Sequence, residues 1–208
     1  KTIGERKIIV NKGVKPEDKP IWIEGPHMYK INGKYFLMCA EGGTEINHSE
    51  VIFRSDSPMG GFKPWSGNPI LTQRQLPRGR RNAIACTGHA DLVCTKEGQW
   101  WAVFLGTRPL EQGFENLGRE TFMLPLRWSD DGFPFITSGN ETVSMIVKHD
   151  GAKRSENVTF GNFSVEDQFD ADSLGLQWMT LRGPATDLYS LKEYPGYLEL
   201  KCSDHKST

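Results

Sequence analysis

No apolar run in this chain approaches the roughly 18 residues of a membrane helix, which excludes a helical membrane span as an expectation. Neither sign of charge dominates: 25 Lys and Arg against 26 Asp and Glu leave a formal net charge of −1. No global field would draw the chain to nucleic acid or to an anionic membrane. Cysteine is sparse. The four present, Cys39, Cys86, Cys94 and Cys202, fit no zinc or redox spacing, and there is no C-x-x-C. They read as buried free thiols, with a single disulfide as the alternative. G-x-S-x-G, H-E-x-x-H and a P-loop are all missing, so acyl-transfer, zinc-protease and nucleotide chemistry find no support. No window of helical periodicity is long or capped enough to read as a helix. The chain begins at Lys1 rather than Met, so the lack of a leader says nothing about export.

What is present points to strands. The 208 residues are 37% hydrophobic, with six Trp and eleven Phe, enough for a core. Lys30 to Met38 carries Asn32-Gly33 between apolar runs, a two-residue hairpin signal. Leu92 to Leu105 repeats the plan around Lys96-Glu97-Gly98-Gln99. The turn glycines Gly33 and Gly98 stand 65 residues apart, close to one blade of a large-bladed propeller, which suggests two blades in tandem. Phe122 to Trp128 adds a strand, with a turn at Asp130-Asp131-Gly132. Residues 136–162 are polar and read as a linker with one or two strands. Leu174 to Arg182, Leu188 to Leu191 and Tyr197 to Leu200 alternate again, like the first strands of a sandwich. Four N-x-S/T sequons, at Asn47, Asn140, Asn157 and Asn162, hint at an extracytoplasmic location.

The densest chemistry lies in Ile23-Glu24-Gly25-Pro26-His27-Met28-Tyr29. A carboxyl on a turn at the mouth of a sheet suits proton donation. Ala40-Glu41-Gly42-Gly43-Thr44 follows, then His48, Arg54-Ser55, Asn68-Pro69-Ile70-Leu71, Gly88-His89-Ala90-Asp91 and Gly118-Arg119-Glu120-Thr121. In that order the segments resemble the second half of the catalytic domain of glycoside hydrolase family 43, the β-xylosidases and α-L-arabinofuranosidases. The resemblance runs from about Ile21 to about Pro134. Beyond about Phe163, Phe163 to Asp170 and Leu176-Gln177-Trp178 look like the start of the β-sandwich domain of many such enzymes.

The resemblance implies an all-β fold: part of a five-bladed β-propeller over 1–150, incomplete, then the truncated start of a β-sandwich over 163–208. It implies an inverting, exo-acting glycosidase that removes xylose or arabinose from hemicellulose-derived glycans. Glu24 matches the general acid. The base and a second aspartate lie upstream of that motif in the family, and no Asp here matches either, so the chain alone is expected to be inactive. Arg119 matches a residue that binds sugar hydroxyls, which a planar guanidinium can span. On residue type alone it also reads as a surface Arg paired with Glu120. His89 matches a residue near the propeller axis, in contact with the active-site network or with a central ion through water. The plainer reading is a hydrogen-bonded strand histidine. Thr44 matches a pocket position and otherwise reads as a turn threonine. No metal ligand is assigned, and a structural calcium is left open. His27 and His48 read as supporting residues. Trp22, Trp100 and Trp101 read as core more readily than as sugar platforms. Arg74, Arg78, Arg80 and Arg81 form a basic loop, read as solvated. Xylo- or arabino-oligosaccharides are the expected partners, with no nucleic acid and no membrane. The alternative is a non-catalytic carbohydrate-binding propeller.

Overall fold

The computed structural model describes residues 4–18, 20–110, 113–149, 164–180 and 186–202. The chain divides into two compact units, Lys1–Asp150 and Gly151–Thr208. Among the described residues there is no α-helix, and a short 3-10 turn lies at Pro16–Asp18.

In the first unit, β1 (Ile23–Ile31), β2 (Lys34–Glu41) and β3 (Ser49–Ser55) form an antiparallel meander, with β4 (Lys63–Pro64) and β5 (Leu71–Thr72) both paired to β3. The β1–β2 turn is Asn32-Gly33, with φ of 50° and 78°. Positive φ at both central positions is the hairpin turn that the Asn-Gly pair favours. A second meander follows: β6 (Ala85–Cys94), β7 (Trp100–Thr107) and β8 (Glu120–Pro125). Two successive meanders of this kind are the blades that the glycine spacing predicts.

The core lies between these sheets. Met38, Ile52, Ile70, Leu71, Ala90, Ala102 and Phe104 are buried in one apolar cluster. Truncating a side chain such as Ile52, which is 0% exposed, would cost about 2–5 kcal/mol. Asn68 closes the edge of β3: its amide accepts from Ile52 N at 2.8 Å and donates to Ile52 O at 2.8 Å. The short pair β9 (Arg127–Trp128) and β10 (Pro134–Phe135) folds back onto the first meander. There Phe133 stacks on Trp65 at 5.6 Å, and the Arg54 guanidinium lies 4.0 Å over the Phe133 ring.

The linker expectation for 136–162 fails in its described part. Residues 136–149 contain no strand, yet Ile136 and Val143 are buried in the main core. Gln73 ties the segment down: its side chain donates to Glu141 O at 2.9 Å and accepts from Val143 N at 3.1 Å. Residues 150–162, with the sequons at Asn157 and Asn162, fall outside the described residues. The basic loop is also not simply solvated. Arg80 is half-buried and donates to Ile84 O, to Pro77 O at 3.1 Å and to Gln73 Oε1 at 3.2 Å. Of the cysteines, Cys39 and Cys86 are buried, but Cys94 and Cys202 are exposed, and all four are free thiols.

The second unit contains β11 (Tyr189–Ser190) paired with β12 (Glu199–Leu200). Residues 174–180 hold a turn at 176–177 and no strand, against the expectation, and 181–182 lie outside the described residues. Trp178 donates to Asp167 Oδ2 at 2.7 Å and packs on Phe169 at 5.4 Å.

Candidate active site

Glu24 stands where the β1–β2 ladder breaks. Register runs evenly from Ile31↔Lys34 to His27↔Met38, then shifts before Glu24↔Ala40. Gly25 and Pro26 therefore share one partner, Cys39, as a β-bulge. The sequence explains the break. Gly25 takes φ of 55°, which glycine adopts without strain, and Pro26 has no N–H to lose from the ladder.

β6 breaks twice. Cys86 and Thr87 face Gly106 alone, and His89 and Ala90 face Phe104 alone. The first residue of each bulge again has positive φ, 53° at Cys86 and 54° at His89. In a residue with a Cβ that conformation costs about 1–2 kcal/mol, so the surroundings must hold it. They do so from β3. His48 lies just before that strand, and its Nδ1 donates to Cys86 O at 2.9 Å. Its ring packs against Gly88, where a Cβ would fall 2.6 Å from Nε2. Two residues on, and so on the same face of the strand, Glu50 accepts from Ala90 N at 2.9 Å.

The two broken strands meet at the site. The His89 imidazole occupies the space that a Cβ on Gly25 would need. Farther along, His27 Nδ1 lies 2.8 Å from Asp91 Oδ1, and Tyr29 donates to Asp91 Oδ1 at 2.9 Å while accepting from Leu92 N at 2.9 Å. These contacts pin β1 to β6. Burial pushes the Tyr29 hydroxyl pKa up to about 12, and Asp91 adds to the rise. His48 records the local electrostatics. Burial lowers its pKa, and His89 and Arg119 press the same way; the Cys86 carbonyl and Glu24 oppose them.

Glu24, His89 and Arg119 are thus all near enough to His48 to bear on its charge. Glu24 is half-buried, whereas His89 and Arg119 are exposed. Arg119 is not paired with Glu120, which is instead held in a bidentate contact by Arg108, at 2.6 and 2.7 Å. Thr44 lies on the exposed loop between β2 and β3, and among the described residues it makes no hydrogen bond to the other three. Trp101 is buried and Trp100 packs on the core, while Trp22, two residues before Glu24, is 71% exposed. A depression of about 280 Å³ bordered by Pro20, Ile21, Glu41 and Arg74 does not include Glu24, His89 or Arg119. Among the described residues no group of three or more His, Cys, Asp or Glu side chains is placed to hold a metal ion.

One supporting residue, Glu50, lay beyond the motif reading, whereas Asp91 stood within Gly88-His89-Ala90-Asp91 and contacts His27 and Tyr29. Glu50 did carry a signal, a carboxylate directly before the apolar Val51-Ile52-Phe53.

Comparison with known proteins bears on the family. The family model described as glycosyl hydrolases family 43 matches residues 1–134. A model described as the beta xylosidase C-terminal concanavalin A-like domain matches residues 166–208. The non-reducing end alpha-L-arabinofuranosidase of Bacteroides ovatus is 44% identical over 186 residues, covering 86% of this chain and 32% of the relative. The beta-xylosidase of Bacillus subtilis is 32% identical over 210 residues, covering 96% of this chain and 37% of the relative. Among solved structures, a family 43 protein from a capybara gut metagenome superposes with a TM-score of 0.68 at 40% identity, covering 96% of this chain and 37% of that one. The chain spans about a third of the length of the curated relatives it matches.

Proposed function

Because the chain belongs to glycosyl hydrolase family 43, we propose that it supplies the general acid and part of the pocket wall of an inverting, exo-acting glycosidase. The substrate class is xylose- or arabinose-terminated glycans of hemicellulose. The observation that supports the reading is the meeting of two broken strands, where the His89 ring packs against Gly25, the residue next to half-buried Glu24.

In this reading the Glu24 carboxyl gives its proton to the glycosidic oxygen as the C–O bond breaks. A base on the opposite face of the sugar removes a proton from the attacking water. In an inverting enzyme the two groups stand about 6.5–9.5 Å apart, leaving room for that water. No Asp of this chain is assigned as the base, which we place in the part of the protein not represented here. Arg119 spans two sugar hydroxyls with its planar guanidinium. Thr44 is a weaker pocket candidate. The substrate is met outside the cytoplasm, a location compatible with the exposed Asn47 and Asn140 sequons.

The test is to assay this chain and the full-length protein on aryl xyloside and aryl arabinofuranoside. The full-length protein should turn over at least one of them, and the 208-residue chain neither. A full-length protein that binds pentose glycans without cleaving them would favour a carbohydrate-binding propeller. Turnover by the chain alone, abolished in Glu24→Ala, would place the base within these residues.

A further inference from the structure

Glu50 is 0% exposed, although its side chain is a carboxyl, and it directly precedes the apolar Val51-Ile52-Phe53. Its carboxyl does not face the site. It faces the second bulge of β6, where His89 and Ala90 share Phe104 as their only β7 partner. Such a bulge leaves backbone groups unpaired, and a buried N–H needs an acceptor. Glu50 provides it. Ala90 N donates to Oε2 at 2.9 Å, Oε1 is buried without a hydrogen-bond partner, and the His89 amide lies close enough to favour the charged carboxyl. His89 has φ of 54°, a conformation that does not hold itself in a residue with a Cβ. Beyond the bulge, the His89 ring fills the space over Gly25, the residue next to Glu24. A run of contacts leads from Glu50 through the bulge and the ring to Gly25, the chain neighbour of the acid.

Resting on the glycosidase reading above, we infer that Glu50 is a positioning residue: it holds the His89–Ala90 bulge in the form that seats the imidazole against Gly25, and thereby sets where Glu24 stands. It touches no substrate. Burial pushes the Glu50 carboxyl up to about 8, against the pull of the Ala90 and His89 amides. At neutral pH it is mostly a neutral acid, so an amide oxygen should do the same work.

The experiment compares Glu50→Met, Glu50→Gln, His89→Ala and the Glu50→Met/His89→Ala pair in the full-length protein. Met keeps the length and accepts no N–H, whereas Gln keeps an acceptor. Three quantities are read: hydrogen exchange at the His89 and Ala90 amides, the His89 ring resonance (identified by its loss in His89→Ala), and kcat and KM on a natural pentoside. Glu50→Met should speed exchange at both amides, move the ring resonance and lower kcat by about 10²-fold, the scale of a small misplacement at a reacting centre. KM should change little. Glu50→Gln should stay near wild type in all three. The double variant should lose no more than the worse single, because both substitutions break one chain of contacts. An unmoved ring resonance in Glu50→Met, a Gln variant as damaged as Met, or losses that multiply would each overturn the inference. If Glu50→Met does not fold, Glu50→Asp, which withdraws the carboxyl by one methylene, takes its place with the same expected direction. A wild-type protein that cleaves no pentoside removes the glycosidase reading, while exchange and the ring resonance still decide the role of Glu50.

Discussion

The two hairpins β1–β2 and β6–β7 share a plan and differ in where their ladders fail. β1 has one bulge, and glycine takes its left-handed position. β6 has two, and cysteine and histidine take theirs. A glycine bulge forms without outside help. A bulge built on a residue with a Cβ needs support, and His48 and Glu50 give it from the neighbouring strand β3. The strained strand carries the imidazole, and the relaxed strand carries the carboxyl beside the glycine that receives it. Chemistry gathers where regular pairing stops, and the packing behind those breaks is as much part of the site as the residues in front.

The largest effect should come from Glu24→Ala in the full-length protein. Cleavage of natural pentosides should fall by about 10²–10⁴-fold, the usual worth of general acid–base assistance. Next is the glycine that joins the hairpins. Gly25→Ala strains φ of 55° and drives a Cβ into the His89 ring, so kcat/KM should fall by about 10²-fold. Gly33→Ala, at φ of 78° in the β1–β2 turn with open space around it, is the matched control. It should cost about 1 kcal/mol of stability and leave kinetics unchanged. Equal kinetic losses at Gly25 and Gly33 would erase the distinction drawn here.

Smaller effects separate sugar contact from support. Arg119→Ala should lower kcat/KM and leave the melting temperature nearly unchanged, since Arg119 is exposed and Glu120 is already held by Arg108. Arg108→Ala should leave kcat/KM unchanged and lower the melting temperature only slightly, because exposed ion pairs contribute little. The smallest test is pH. Glu50 has its pKa raised by burial to about 8, so between its ordinary carboxylate range and pH 8 the unfolded chain loses this proton before the folded one does. Stability from this group should therefore fall as pH rises from about 4.5 to 8. The melting temperature of Glu50→Gln relative to wild type should climb across that window, and parallel curves would contradict the assignment.

The hairpins were legible in the sequence because Asn32-Gly33 and Lys96-Glu97-Gly98-Gln99 are local turn chemistry flanked by alternating residues. The all-β class and the propeller-then-sandwich order followed from the motif order and agree with the family matches. Glu24 and Gly25-Pro26 were visible as a motif, and the bulge follows from the two residue types. The left-handed conformation of His89 was not visible, since nothing in Gly88-His89-Ala90 requires it. It is imposed by Glu50, 39 positions away. Residues 136–149 misled by their polarity: Gln73 and the buried Ile136 and Val143 bind them to the core through contacts that composition does not reveal.

The central claim is that Glu24 donates the proton from the meeting point of the two broken strands. Its most direct test is the rate of full-length Glu24→Ala on aryl pentosides of increasing leaving-group basicity, each compared with wild type. The account predicts a loss that is small for acidic phenols and grows steadily as the leaving group needs the proton more. A uniform loss across the series would contradict it.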